Sequence, residues 1–256
     1  MRKRTNKSFC LEFHKSYLIV ALGFILTGNY LNLIVFTSLI LVHEMGHYFM
    51  AMLFHLKVKK IVIYPFGGVT KLDTMINLDI SCELLVALSG VMVQFLFYLF
   101  LSFLNQMHMI REYTMQLYTL YNSQIIFFNL MPIYPLDGAK IFNLLISKFC
   151  PYYVSNLITI IISILGIFFL IFLNVYTFNY SNIMIYFLFF TYLIRFYQKR
   201  KYIYYRFLLE RYLYTFSFSQ TKVIYDYRFM YRDKKHFIYD GRIYLEERNF
   251  LSKIFD

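Results

Sequence analysis

The chain lacks tryptophan and is poor in cysteine, proline and acidic side chains, with 3 Cys, 4 Pro and 14 Asp plus Glu in 256 residues. Cys10, Cys82 and Cys150 are odd in number, far apart and free of any C-x-x-C spacing. That excludes a disulfide framework and a thiolate zinc site. Charged residues make up only 16% of the chain, against 59% hydrophobic and 22% aromatic. So little charge cannot cover a water-facing surface, which excludes a soluble globular domain. The scarcity of acids leaves 26 basic residues against 14 acidic ones. In a chain this apolar such charge fixes orientation in the lipid bilayer, and no direct nucleic-acid partner is expected. No small-residue cleavage site follows Gly28, so Arg2, Lys3 and Arg4 read as the inner flank of an uncleaved first span and not as a secretory signal. Abundant Phe, Tyr, Ile, Asn and Lys without Trp points to an AT-rich bacterial genome.

Long apolar runs are what the sequence has instead. Residues 17–54 form one mostly apolar stretch, which as helix would be about 57 Å long in a hydrocarbon core of ~30 Å. The Gly28-Asn29 pair is a turn signal that divides it into a short first helix and a second over about 31–54. Further spans are expected at about 84–104, 114–137, 152–173 and 180–194. With six spans and the N-terminus inside, 25 of the 26 lysines and arginines fall on inner segments and Arg111 alone lies outside. Treating residues 17–54 as one span reverses every later segment and violates the positive-inside rule. The expected fold class is therefore an all-α polytopic membrane protein of about six transmembrane helices, with both termini cytoplasmic.

Residues 57–72, KVKKIVIYPFGGVTKL, alternate loosely and carry Pro65 and Gly67-Gly68 as punctuation. They read as a short hairpin at the membrane's inner face, or as a basic loop in the headgroups. The domain division is 1–194 for the membrane domain and 195–256 for a basic cytoplasmic tail. Within the tail, residues 234–251 read as strand, Asp-Gly turn, strand and helix.

The chemistry concentrates in HEMGH, residues 43–47, inside the second span. On a helix, positions i and i+4 share a face, so His43 and His47 can point at one metal. Glu44 sits beside them, placed to take a proton from a water whose pKa zinc lowers to about 7. With 6 His and 7 Glu in 256 residues, a chance H-E-x-x-H is expected at roughly 0.4%. A Glu and two His within an apolar helix are costly and by default line a site or a pathway. The competing reading is a proton-coupled or metal transporter using the same His/Glu/Asp cluster. Transporters pair interrupted helices in two repeats, and only one broken segment is found here, at 129–138.

A catalytic zinc needs one more protein ligand. The positions after His47 are Tyr48, Phe49, Met50, Ala51 and Met52, which excludes the metzincin continuation. His14, His55, His108 and His236 fall at or outside the bilayer edges. Among the acids, Asp137 alone lies at the right depth, within NLMPIYPLDG at 129–138; the plain alternative is a helix-terminal carboxylate near Lys140. Pro132 and Pro135 prevent regular helix there, whether as a simple helix end or as irregular backbone lining a cavity. Such backbone, together with Asn129, offers pairing groups to an extended substrate.

These residues resemble the site-2 protease family of intramembrane zinc metalloproteases. The family pairs H-E-x-x-H with a later N-x-x-P-x-x-P-x-D-G, matched here by Asn129, Pro132, Pro135, Asp137 and Gly138. GGV at 67–69 is similar to its membrane-associated hairpin, and SGVMVQ at 89–94 weakly resembles its S-G-P-x-x-N segment. The resemblance implies one zinc per chain held by His43, His47 and Asp137, with Glu44 as catalytic base and Asn129 and Pro135 at the substrate. A compact chain with YYRFLLERY at 204–212 also resembles the sporulation branch. That implies a membrane-associated sigma factor precursor as substrate, membrane inhibitory or regulatory proteins as partners, and a place in the bacterial cell membrane or the membrane around the forespore. The tail is short for two nucleotide-sensing CBS repeats and resembles one degenerate unit at most, around 217–256.

Overall fold

A computed structural model describes residues 10–64, 67–72, 75–173, 180–239 and 243–256. It divides into two compact units, residues 1–74 with 85–129, and residues 75–84 with 130–256. The basic start at Arg2, Lys3 and Arg4, Pro65 of the hairpin and the Asp240-Gly241 turn lie outside the described residues.

The first unit opens with β1 (Leu11–Phe13) and α1 (Lys15–Leu26), followed by α2 (Tyr30–Leu53). The turn expected at Gly28-Asn29 is present: Gly28 has φ +74°, a left-handed conformation that glycine adopts without a Cβ clash. The α1 helix has only 12 residues, about 18 Å of rise. Buried positions on α2 are Val35, Leu39, Ile40, His43, Glu44, Gly46, His47 and Ala51. Their spacing of three to four makes one stripe, so the H-E-x-x-H residues continue the packed face of the helix. Chain reversal after α2 gives β2 (Val58–Tyr64) and β3 (Gly67–Leu72), so of the two readings of residues 57–72 the hairpin is the one present. The β1 strand adds in parallel to β2, giving a three-stranded sheet in the order β1-β2-β3 whose Ile61, Val62 and Ile63 are buried.

Then come α3 (Ile80–Gln106) and α4 (Glu112–Leu130). On α3 the buried residues Val86, Gly90 and Gln94 recur every four positions, while Phe95, Phe100 and Phe103 are exposed. The packed face therefore carries small and polar groups and the outer face is what lipid would meet. At the α2–α3 crossing an ideal Cβ on Gly46 would stand 2.5 Å from the Ser89 carbonyl oxygen. Small residues let membrane helices approach this closely, and close packing replaces the hydrophobic drive that lipid removes.

The second unit contains α5 (Asp137–Phe149), α6 (Tyr152–Leu173), α7 (Tyr180–Leu213), the strands β4 (Gln220–Ile224), β5 (Lys234–Tyr239) and β6 (Tyr244–Glu246), and α8 (Glu247–Phe255). The fourth expected span, 114–137, is corrected: α4 ends at Leu130 and a separate amphipathic helix starts at Asp137. The physical reason is the pair Pro132 and Pro135, whose missing N–H groups end the helix. Ser163 secures the break, since the Tyr134 N–H donates to its hydroxyl at 3.1 Å. Ile133 is buried against Gly166, where a Cβ would leave only 2.7 Å. A Cβ on Gly138 would stand 2.2 Å from the Leu130 carbonyl oxygen, so the glycine after Asp137 is what lets this turn close.

Ile194 lies inside α7, which continues as one helix to Leu213. Its end packs with Tyr152, Ile224, Met230, Ile238 and Leu251 in a core around Phe207 and Leu208. Each fully buried apolar side chain there contributes about 1.5–3 kcal/mol. The second sheet has β4 parallel to β5 and β5 antiparallel to β6, so the strand, strand and helix expected after residue 234 are present. Helices dominate, as expected; of the strands in the two small sheets, β1 and β4 are additions to the expected hairpin and tail strands. Among the described residues, α2, α3 and α6 are long and apolar enough to cross a membrane.

Candidate metal centre

The site is built on α2. His43, Glu44 and His47 are all at least nine-tenths buried, and one ligand atom from each falls within 4.8 Å of the others. The two Nε2 atoms stand 3.1 Å apart. Two nitrogens bound at ~2.05 Å in a tetrahedral shell would be about 3.3 Å apart, so the pair fits one zinc. Each Nδ1 is engaged elsewhere: His43 Nδ1 lies 3.0 Å from Gln94 Oε1, and His47 Nδ1 lies 2.7 Å from the Val86 carbonyl oxygen. Both rings are thus held from behind by α3 with their Nε2 faces turned to a common point.

Glu44 is positioned by the hairpin. The Thr70 hydroxyl on β3 donates to Glu44 Oε2 at 2.7 Å. Gly68 makes this possible, because an ideal Cβ there would be 2.3 Å from Glu44 Cγ. Gly90 plays the same part for α3, where a Cβ would stand 2.5 Å from His47 Nε2. The arrangement can hold a metal on two imidazoles and keep a carboxylate within reach of a water at that metal.

The sequence profile of Peptidase family M50 matches residues 31–111, a segment that contains the whole cluster. Stage IV sporulation protein FB of Bacillus subtilis is 32% identical over 201 residues, covering 77% of this chain and 68% of that protein. The chain belongs to peptidase family M50. A zinc metalloprotease of Methanocaldococcus jannaschii is 31% identical over 150 residues, 54% of this chain and 43% of that protein. The solved site-2 protease from Methanocaldococcus jannaschii matches with a TM-score of 0.58 at 23% identity, covering 76% of this chain and 94% of that one, which supports a shared fold. This M50 member is accordingly a zinc metalloprotease of the site-2 type and an integral membrane protein. The transporter reading is not favoured by these relationships.

Of the residues singled out in the sequence, the structure brings together His43, Glu44 and His47. Asn129 lies on the last turn of α4, Pro135 in the turn that follows, and Asp137 opens α5 in the second unit. A carboxylate at a helix's first position is favoured by the helix dipole. The sequence pointed to Gln94 only as the last residue of SGVMVQ, without a role, and did not single out Thr70 or Asn122. Gln94 and Asn122 carried a usable signal, being polar residues within apolar helices.

Proposed function

We propose that this M50 protease hydrolyses a peptide bond of a membrane-associated precursor near the cytoplasmic face of the membrane, and that the precursor is a sporulation sigma factor precursor. The observation that carries the chemistry is the buried pair of Nε2 atoms 3.1 Å apart with Glu44 beside them. In this reading His43 and His47 hold zinc through Nε2. Asp137 supplies the third protein ligand, on the sequence ground that no other carboxylate lies at the expected depth. Zinc, when bound, lowers the pKa of the attacking water and polarises the scissile carbonyl. Glu44 takes the water's proton and delivers it to the leaving amide nitrogen, its carboxylate oriented by the Thr70 hydroxyl. Asn129 and Pro135 bind an extended stretch of substrate, since a helical one hides its backbone groups.

The cytoplasmic assignment rests on six spans with both termini inside, supported by the distribution of basic residues. The sporulation assignment is supported by the relationship to stage IV sporulation protein FB. Residues 195–256 would then lie on the side of the substrate's soluble part, as a basic tail with one degenerate CBS-like unit at most.

Coexpression with a tagged sigma factor precursor tests this reading. The wild type is expected to shorten the precursor, and Glu44→Gln to leave it intact while binding zinc normally. Asp137→Ala is expected to lose zinc affinity as well as cleavage. Full processing by Glu44→Gln excludes the mechanism. Unchanged zinc affinity in Asp137→Ala removes Asp137 from the ligand set.

A further inference from the structure

His43 and His47 are held in different ways. The acceptor for His47 Nδ1 is a backbone carbonyl, Val86 O, which also receives the Ser89 hydroxyl at 2.7 Å. The partner of His43 Nδ1 is a side chain, Gln94, whose amide could in principle present either its oxygen or its nitrogen. What decides between them lies one helix further away. Gln94 Nε2 faces the Asn122 backbone carbonyl at 3.4 Å and Asn122 Oδ1 at 3.1 Å. A backbone carbonyl only accepts, so the end of Gln94 that faces α4 must be the NH2 group. Its oxygen then faces His43, and an oxygen only accepts, so His43 Nδ1 must carry the hydrogen. The lone pair of His43 is thereby assigned to Nε2, the atom 3.1 Å from its counterpart on His47. Gln94, Asn122 and His43 are all buried, so water does not compete for these bonds.

We infer that Asn122 and Gln94 act as a positioning pair that fixes which nitrogen of His43 faces the metal, making α4 a working part of the zinc site. This rests on the reading of His43 as a zinc ligand. Partners of the ligating imidazole change metal affinity by about 10–100-fold when removed. An apolar replacement at residue 122 acts without touching the histidine, because it removes the shorter of the two bonds that hold the Gln94 amide and leaves only the longer one to the backbone carbonyl of residue 122.

Zinc affinity of the purified full chain, read by competition with a chromophoric chelator, tests the pair. Gln94→Met is expected to weaken zinc binding by about 10–100-fold. Asn122→Leu is expected to weaken it in the same direction, and the double variant to be no weaker than Gln94→Met, since residues acting through one chain of bonds are not additive. Asn122→Asp, which keeps an acceptor for Gln94 Nε2, is expected to bind as the wild type does. Wild-type affinity in Gln94→Met or Asn122→Leu, or losses that add, overturns the proposal. If the apolar variants do not purify, Asn122→Asp decides: a tenfold loss there rejects the pair, and retained affinity upholds it. His43→Ala separates the two levels. Undiminished affinity in that variant removes His43 as a ligand, whereas a loss there with intact binding in Gln94→Met rejects only the pair.

Discussion

At Gly90 an ideal Cβ would lie 2.5 Å from His47 Nε2 and 2.8 Å from His43 Nε2, and the three nearest atoms all belong to the two histidine rings. Alanine is the better helix former by about 1 kcal/mol, so Gly90→Ala should leave the helix intact and act on the rings alone. Because Val86 O and Gln94 hold those rings from behind, they can yield only by giving up a bond. Gly90→Ala is expected to lower zinc affinity at least tenfold with unchanged helical content by circular dichroism, whereas Gly23→Ala, with nothing within 4 Å of its Cβ, should change neither. Wild-type affinity in Gly90→Ala would mean that α3 moves away at little cost. The contrast with HEMGH shows what a sequence makes legible at this scale. The pairing of His43 with His47 follows from helical spacing within one segment. The parts of Thr70, Gly90 and Gln94 depend on which face of a second element meets α2, and an apolar sequence does not encode that.

Among the elements, the turn at Gly28-Asn29, the hairpin over 57–72 and the helix break at Pro132 and Pro135 were legible, because each is punctuated by residues with one dominant backbone effect. What escaped was α5, which continues directly from the break, and the extension of α7 to Leu213 past the change in composition at Ile194. That extension is held by a buried polar network. The Arg211 guanidinium donates to Glu247 at 2.9 Å and to the backbone carbonyls of Tyr231, Arg232 and Lys234. His236 is fully buried, and its Nε2 accepts the Tyr231 N–H at 2.9 Å. Burial holds the His236 pKa below its usual 6.5, with Arg211 acting the same way against the opposing hydrogen bond that the ring donates to Glu247. Protonation at Nε2 would also set two donors against each other. Burial acts to raise the Glu247 pKa, but His236 and Arg211 outweigh it and hold it below 4.5. In both cases the unfolded chain binds more protons than the folded one. Stability is therefore present at neutral pH, begins to fall as pH drops below 6.5 through His236, and falls further below 4.5 through Glu247. Thermal unfolding between pH 7 and 5 is expected to show a falling midpoint whose slope flattens in His236→Leu. An unchanged slope in that variant would assign the acid sensitivity elsewhere.

For the whole molecule the open quantity is orientation, because length and apolarity alone identify three spanning helices, α2, α3 and α6, among the described residues. With α1 only 12 residues long, it rises about 18 Å and cannot cross a ~30 Å core unaided. The six-span count therefore leans on charge. Placing both termini inside leaves Arg111 as the single basic residue on the outer side, against 25 within. With the N-terminus inside, an odd number of spans sends the basic C-terminal region outward, against the bias that sets topology. Two cysteines introduced one at a time, in a background where Cys10, Cys82 and Cys150 are replaced by serine, separate these arrangements. Met109→Cys lies in the exposed turn between α3 and α4, and Asn249→Cys lies on the exposed side of α8. A membrane-impermeant thiol reagent added to intact cells is expected to label the first, and to reach the second only after the membrane is opened. Labelling of both from outside would leave an odd number of crossings between residues 1 and 249 if the N-terminus is inside. It would also put the basic end of α7, and with it any docking of a cytoplasmic precursor, on the wrong side of the membrane. Labelling of neither would place the α3–α4 turn inside and leave the zinc site opening to the opposite face from the one proposed.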